Sequence, residues 1–188
     1  MSLLNEVMDF NQAFVSNEEY EPYETTKLPN KKMAVITCMD TRLLELLPKA
    51  MNLRNGDAKV IKTAGAIIRD PWDSVLSGLM IGIYDLGVEE VFVVGHRDCG
   101  MSAINVDSTL KKMKARGISE ETLTTLAHAG IDLHKQLAGF ENVSDSVMSS
   151  VKVLRNHPLI PEGIPIHGLV IDPKTGELEV VTSGYEEK

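Results

Sequence analysis

The sequence predicts an α/β fold with a mainly parallel central sheet, in the strand order 2-1-3-4, and an antiparallel fifth strand at one edge. Short apolar runs that are typical of strands alternate along the chain with segments whose apolar residues recur at helical spacing. Such alternation indicates βαβ units, in which helices flank a parallel sheet. The last two apolar runs are joined only by the turn from Asp172 to Gly176, and so short a connection requires an antiparallel pair.

Local patterns predict each element in chain order. Ser2 to Val15 has apolar residues near helical spacing and a capping serine, which predicts a first helix, and the polar stretch Asn17 to Leu28 predicts an arm. The apolar run from Met33 to Thr37 is typical of a strand buried on both faces. Further strands are predicted at 58–62, 90–94, 164–171 and 178–182, and further helices at 43–51, from Pro71, at 101–115, at 119–129 and from Ser144.

Glycine and proline mark several of the expected boundaries. Pro71 suits the first turn of a helix, and Gly87 is typical of the residue that follows one. Gly95 is expected to end the third strand, and the segment Asn156 to Pro158 to end the last helix.

The composition predicts a single domain, residues 1–188, in a reducing, cytoplasmic setting. The hydrophobic fraction of 43% and the charged fraction of 24% are close to globular averages. A net charge of −8 argues against a nucleic-acid partner, because such binding depends on clustered Lys and Arg. No apolar run approaches the ~20 residues that a membrane span needs. Two cysteines, Cys38 and Cys99, are too few for a secreted disulfide scaffold.

Residues with metal-binding and acid–base chemistry follow the first and third strands. The first strand leads into Cys38-Met-Asp40-Thr-Arg42, and the third leads into His96-Arg-Asp-Cys99. In a sheet of order 2-1-3 these two strands are neighbours, and the chain leaves them in opposite directions, which creates a crevice where ligands bind. Two thiolates and one imidazole suit zinc, and three protein ligands leave a fourth position open, as in catalytic sites.

Each of these residues also has a plainer interpretation. Cys38 and Cys99 are also explained as ordinary buried thiols or as a redox pair, although their joint placement beside His96 favours zinc. Asp40 and Arg42 are also explained as a surface ion pair.

Other polar residues near these segments carry weaker signals. Asp98 either anchors its loop or accepts the ring N–H of His96, a role that a backbone carbonyl fills equally well. Gly65 either lets the backbone approach a substrate or simply forms a turn. The remaining histidines match no motif, and we expect them at the surface or at satisfied core positions: His128, His134, His157 and His167.

Three segments together resemble the β-class carbonic anhydrases, and in particular their compact prokaryotic branch. They are Cys-Met-Asp-Thr-Arg-Leu from Cys38, the turn Ala64-Gly65, and Gly-His-Arg-Asp-Cys-Gly-Met from Gly95. The resemblance implies a zinc-dependent enzyme that reversibly hydrates carbon dioxide to bicarbonate, with zinc-bound hydroxide as the nucleophile.

The resemblance also implies a role for each matching residue. Cys38, His96 and Cys99 bind the zinc, and Asp40 and Arg42 form a dyad at the fourth coordination position. Asp40 accepts a hydrogen bond from the hydroxide, while Arg42 holds both carboxylate oxygens in a bidentate fork. A free aspartate beside zinc also has the option of binding the metal, so the fourth ligand is either water or Asp40.

The chain departs from the family pattern at two positions. Some branches carry a substrate-binding Gln shortly before the first strand, and Leu28 to Lys32 contains none. Many members have Asn after the Ala-Gly turn, where this chain has Ala66. Neither departure touches the expected metal ligands.

The resemblance further implies a homodimer or a dimer of dimers. The N-terminal helix and arm, residues 1–30, carry Leu3, Val7 and Phe14. We expect this segment to pack on a partner subunit, because an isolated amphipathic helix is marginal without packing. Two other functions stay open: a related carbon disulfide or carbonyl sulfide hydrolase with the same zinc and dyad, and a catalytically silent zinc-binding protein of the same fold.

Overall fold

Five strands form the central sheet of the structure, a computed structural model that describes residues 1–185. The sheet order is 2-1-3-4-5, with the first four strands parallel and the fifth antiparallel to the fourth. The predicted fold class, sheet order and hairpin are confirmed, while residues 186–188 of the predicted domain lie outside the described residues. The strands are β1 (Met33–Cys38), β2 (Ala58–Thr63), β3 (Glu90–His96), β4 (Ile166–Ile171) and β5 (Leu178–Thr182).

Within these residues seven α-helices connect and cover the strands, and most of them match predicted segments. They are α1 (Leu3–Ser16), α2 (Leu43–Ala50), α3 (Ser74–Tyr84), α4 (Val106–Ala115), α5 (Glu120–His128), α6 (Leu133–Leu137) and α7 (Val143–Arg155). Single turns of 3-10 helix lie at Glu21–Tyr23, Ala64–Ala66 and Gly100–Ala103. No helix among residues 1–185 combines the length and the apolar character that crossing a membrane requires.

Capping side chains start three helices at positions that differ from the predicted ones. Pro71 lies before α3 rather than in its first turn, because the Asp73 carboxylate accepts two backbone N–H groups and caps the helix. α4 begins only after the capping Asn105, and α7 is capped by Asn142 rather than by Ser144. The short helix α6 was not predicted, and its start is marked by another cap, Asp132.

Two glycines at strand and helix ends behave differently from each other. Gly87 adopts the left-handed backbone in the turn after α3, with φ of 71°, as predicted. Gly95 does not end β3, which continues to His96. A glycine is needed at this position of the strand, because α7 packs directly over it and leaves no room for a side chain.

β1 is buried on both faces, as its continuous apolar run predicts. On one face Ala34 and Ile36 join a core with residues of α3 and α7. On the other face Met33 and Val35 join a core with residues of α2. This interior strand is therefore held by packing from two sides, and its carboxyl end is a rigid platform for the residues that follow.

The close approach of α7 to the sheet depends on glycines in β3 and β4. A Cβ atom at Gly95 would lie 2.7 Å from Val147 Cγ2 and 2.8 Å from Val143 Cγ2. A Cβ atom at Gly168 would lie 2.7 Å from Val147 Cγ1. These distances are well inside van der Waals contact, so α7 rests directly on the backbone of the two strands.

The arm that follows α1 is attached to β2 and to the turn before it. No residue of α1 is buried, although Phe14 at its end packs near Tyr23 with 6.5 Å between ring centroids. The following arm is attached by hydrogen bonds from Lys59 Nζ to the Lys27 carbonyl at 2.6 Å and from the Asn30 N–H to the Gly56 carbonyl at 2.9 Å. The apolar face of α1 thus remains exposed in the isolated chain.

We expect Gly168→Ala to destabilise the fold by about 1–3 kcal/mol, the usual cost of overpacking a core. The same substitution at Gly78, inside α3, places its methyl 3.5 Å from Ile61 Cδ1, an ordinary contact. Gly78→Ala should therefore stabilise the fold by about 0.5–1 kcal/mol, because alanine favours the helix. Urea unfolding of the two variants measures both effects, and a neutral Gly168→Ala would contradict the close packing of α7.

Candidate metal centre

Sheet topology brings together three side chains that could hold a metal ion. β1 ends at Cys38 and β3 ends at His96, and the two strands are parallel neighbours with Thr37 opposite Val94. Cys99 follows in the loop after β3. All three side chains are buried, and their ligand atoms lie within 4.8 Å of one another. The structure thus brings together the three residues that the sequence predicts as ligands, although Cys38 and Cys99 are 61 positions apart.

The distance between the two sulfur atoms fits a shared metal ion. Cys38 Sγ and Cys99 Sγ are 3.9 Å apart, and both thiols are free. Two thiolates that bind one tetrahedral ion at ~2.3 Å lie ~3.8 Å from each other. The separation also exceeds a disulfide bond by far, so the two sulfur atoms are free to act as separate candidate ligands.

The ring of His96 is oriented for the same role. Its Nδ1 donates to the Arg97 carbonyl at 2.9 Å, which leaves the lone pair on Nε2. Nε2 is buried and has no hydrogen-bond partner among residues 1–185. A buried polar atom without a partner is costly, and a metal ion beside the two thiols would satisfy it. The donor set therefore fits a metal ion.

The two thiols differ in acidity because their surroundings differ. Burial raises the pKa of Cys99 to about 11. Burial acts on Cys38 as well, but the adjacent His96 ring and the backbone N–H groups of Gly65 and Asp40 outweigh it and lower the pKa of Cys38 to about 7. The Gly65 N–H lies 3.3 Å from the Cys38 sulfur. Gly65 thus contacts a candidate ligand through its backbone, which makes it more than a turn residue.

Asp40 and Arg42 form a bidentate pair beside these ligands. Arg42 Nε donates to Asp40 Oδ1 and Arg42 Nη2 donates to Asp40 Oδ2, each at 2.9 Å. Asp40 Oδ1 also accepts the backbone N–H of Arg42. These bonds lower the pKa of Asp40 to about 2. Asp40 Oδ2 lies 3.7 Å from His96 Nε2, so one carboxylate oxygen faces a candidate ligand atom.

Asp98 contacts Arg42, a contact that the sequence analysis missed. Arg42 Nη1 donates to Asp98 Oδ2 at 2.9 Å, and Arg42 Nη2 donates to the Asp98 carbonyl at 2.8 Å. One role considered for Asp98 was to accept the ring N–H of His96. The carbonyl of Arg97 accepts that N–H instead. No local sequence signal reveals this contact, since Arg42 and Asp98 are 56 positions apart.

Three of the other histidines have partners of their own away from the metal-binding atoms, as expected. His157 bonds to the Pro71 carbonyl at 2.7 Å, and His167 Nδ1 accepts the backbone N–H of Gly184 at 3.0 Å. The exposed His134 pairs with the carboxylate of Asp107 at 3.0 Å.

Comparisons with known proteins agree on one family. The family model described as "Carbonic anhydrase" matches residues 33–178. The chain is 52% identical over 185 residues to "Putative carbonic anhydrase YtiB" of Bacillus subtilis (strain 168), which spans 98% of this chain and 99% of that protein. It is 31% identical over 158 residues to a carbon disulfide hydrolase of Acidithiobacillus thiooxidans. That match covers 79% of this chain and 76% of the hydrolase.

A solved structure is similar over almost the whole chain. The crystal structure of β-carbonic anhydrase isoform I from Trichomonas vaginalis superposes with a TM-score of 0.90 and 38% sequence identity. The match covers 98% of this chain and 100% of that one. The similarity therefore includes the N-terminal helix as well as the sheet.

Arg42→Gln should raise the pKa of Asp40 from about 2 towards its ordinary value of ~3.9, because the carboxylate loses its guanidinium partner. A depressed carboxyl pKa stabilises the fold above the ordinary pKa, and this contribution is lost as pH falls towards about 2. The wild type should therefore lose more stability than the variant on acidification. Carbon-13 NMR of the aspartate carboxyls, with Asp57 as the internal control, measures the shift. An unchanged Asp40 pKa would contradict the fork.

Proposed function

Because the chain belongs to the β-class carbonic anhydrase family, we propose that it is a zinc enzyme that interconverts carbon dioxide and bicarbonate. The observation that carries the proposal is the convergence of Cys38, His96 and Cys99, with an ionised Asp40 facing the same point. Sulfur and imidazole nitrogen are the ligands that zinc prefers. Both cysteines are free, which suits the reducing, cytoplasmic setting that we also propose.

Three side chains would hold the ion, and one position would remain for chemistry. Cys38 and Cys99 supply two negative charges as thiolates, and His96 supplies a neutral nitrogen. When bound, zinc supplies the positive charge that acidifies a water molecule and provides a nucleophile near neutral pH. The low pKa of Cys38 favours this ligand set, because less work is needed to remove its proton.

Asp40 orients the nucleophile by accepting a hydrogen bond. Its Oδ1 already accepts two N–H groups of Arg42, while Oδ2 accepts one and faces His96 Nε2. With a pKa of about 2, the Asp40 carboxylate is ionised at neutral pH and therefore only accepts hydrogen bonds. A nucleophile at this place would keep its hydrogen and share it with Asp40 in a hydrogen bond, which would direct a lone pair at the substrate.

Arg42 keeps the Asp40 carboxylate in place during this step. The bidentate fork fixes both the distance and the plane of the carboxylate, a geometry that a lysine cannot reproduce. Without the guanidinium, the side chain of Asp40 is free to turn towards the thiols and the imidazole. Only 18% of the Asp40 side chain is exposed. In this proposal Asp40 and Arg42 are therefore more than a surface ion pair.

An apolar wall beside the ligands suits a small uncharged substrate. Met101 and Phe140 pack against the core that contains Cys38 and Cys99. A Cβ atom at Gly65 would meet both side chains at 3.0 Å, so this wall lies directly against the Gly65 backbone. Carbon dioxide needs no charged binding group. Attack of the oriented nucleophile on its carbon atom yields bicarbonate.

A second candidate function is the hydrolysis of carbon disulfide or carbonyl sulfide. It is favoured by the 31% identity to a carbon disulfide hydrolase. Carbon disulfide is also small, linear and apolar, so the same ligands and dyad serve either substrate. The 52% identity to a protein named as a carbonic anhydrase favours carbon dioxide as the main substrate.

One set of measurements tests the proposed function. The purified protein should contain one zinc ion per chain and hydrate carbon dioxide, with little sulfide released from carbon disulfide. Cys38→Ser should lose most of its zinc and its activity, because a hydroxyl is a poor zinc ligand. Met39→Ser is the matched control, since 65% of the Met39 side chain is exposed at the next position.

Distinct outcomes separate the alternatives. Full zinc in Cys38→Ser would contradict the ligand assignment. Zinc without hydration or sulfide release would indicate the catalytically silent alternative, and faster sulfide release would favour the hydrolase.

We also propose that the protein is a homodimer or a dimer of dimers, in which α1 packs on a second copy. Leu3, Val7 and Phe10 line one face of α1 and are 75%, 55% and 69% exposed. A helix with so much exposed apolar surface is marginal unless a partner covers it.

Light scattering should give at least the mass of a dimer at micromolar concentration. Val7→Glu should shift the mass towards the monomer, because it places a charge in the covered face. Gln12→Glu, on the opposite face of α1, should leave the mass unchanged. A wild-type monomer would rule out the proposed packing.

A further inference from the structure

We propose that Asp98 is a positioning residue that holds Arg42 in its fork with Asp40 and thereby keeps the fourth position of the metal centre open. This inference rests on the proposed zinc site and extends it by one residue. It assigns a task to a side chain that is neither a metal ligand nor a member of the Asp40–Arg42 pair.

The guanidinium of Arg42 is held along two of its edges. One edge, Nε and Nη2, donates to the two carboxylate oxygens of Asp40. The other edge, Nη1 and Nη2, donates to the Asp98 carboxylate at 2.9 Å and to the Asp98 carbonyl at 2.8 Å. Four of the five guanidinium N–H groups are thus used, and the planar group has one orientation that satisfies them all.

The backbone of Asp98 is shaped for this contact. Asp98 has φ of 52°, in the left-handed region that residues other than glycine rarely adopt. This conformation, between His96 and Cys99, directs both the carbonyl and the carboxylate of Asp98 to Arg42. Glycine would adopt the same backbone with less strain, so the carboxylate is what an aspartate adds here.

The contact stabilises an orientation more than it stabilises the fold. The Asp98 side chain is 77% exposed and that of Arg42 is 38% exposed. Ion pairs at such exposure contribute little to folding. Orientation matters more, because Asp40 Oδ2 is 3.7 Å from His96 Nε2 and a carboxylate released by Arg42 has only a short distance to move to become a metal ligand.

Azide binding to the cobalt-substituted protein tests whether the fourth position is open. Cobalt replaces zinc because its visible spectrum reports a change of ligand. Asp98→Gly and Asp98→Asn both suit the left-handed backbone. Asp98→Gly should weaken azide binding about fivefold, and Asp98→Asn should weaken it less, because its amide oxygen still accepts from Arg42. The thermal unfolding temperatures should stay close to that of the wild type.

Whether azide binding weakens or strengthens separates a positioning role of Asp98 from a simple effect of its charge. Removing the negative charge of Asp98 would by itself strengthen the binding of an anion. Glu179→Gln is the matched control, since Glu179 pairs with the neighbouring Arg97 at 2.9 Å with similar exposure and does not touch Arg42. This variant should not weaken azide binding.

A double-mutant cycle with Arg42→Ala completes the test. If Asp98 acts through Arg42, Asp98→Gly should have no further effect in the Arg42→Ala protein. Unchanged or tighter azide binding in both Asp98 variants, or an equal loss with and without Arg42, would overturn the inference. A wild-type protein that binds neither cobalt nor zinc would instead overturn the proposed function, and this inference with it.

Discussion

The pairing of β1 with β3 is the constraint on which the rest of the structure depends. These strands run parallel at the centre of the sheet, so both deliver their chains to the same edge. Cys38 is the last residue of β1 and His96 the last of β3. If the two strands were apart, as they would be in another strand order, the thiol and the imidazole would not meet. The position of the candidate metal centre is therefore a consequence of topology.

Packing on both faces of the sheet gives this edge its rigidity. β1 is buried throughout, and α7 rests on the backbone of β3 and β4 where Gly95 and Gly168 leave no side chain between them. Ligands placed on strand ends move less than ligands placed on loops, and metal geometry tolerates little error. The core thus fixes Cys38 and His96 at the strand ends, while Cys99 reaches them from the loop that follows β3.

The ionisable groups at this end of the sheet differ in pKa because their surroundings differ. The adjacent His96 and backbone N–H groups lower the pKa of Cys38 against the effect of burial, while burial raises the pKa of Cys99. The guanidinium of Arg42 holds Asp40 ionised and also reaches the loop of Asp98. One arginine therefore links the loop after β1 with the loop after β3. Because Asp98 lies between two candidate ligands, the orientation of the fork and the geometry of the ligands are coupled.

The sequence by itself determined the fold class, the strand order and the residue types at the centre. Continuous apolar runs predict buried parallel strands, and polar residues at the ends of two such runs predict a site, because both patterns are local. The spacing of Asp40 and Arg42 likewise places them within one turn, where their side chains pair.

Only the tertiary structure decided the contacts between residues that are distant in sequence. The bond from Arg42 to Asp98 depends on the register of β1 and β3 and on one left-handed residue, and neither is encoded in a local pattern. The continuation of β3 through Gly95 was mispredicted for a related reason, since the sequence alone does not reveal that α7 occupies the space above it. Local chemistry specifies which groups are present, whereas packing between distant segments specifies which groups meet.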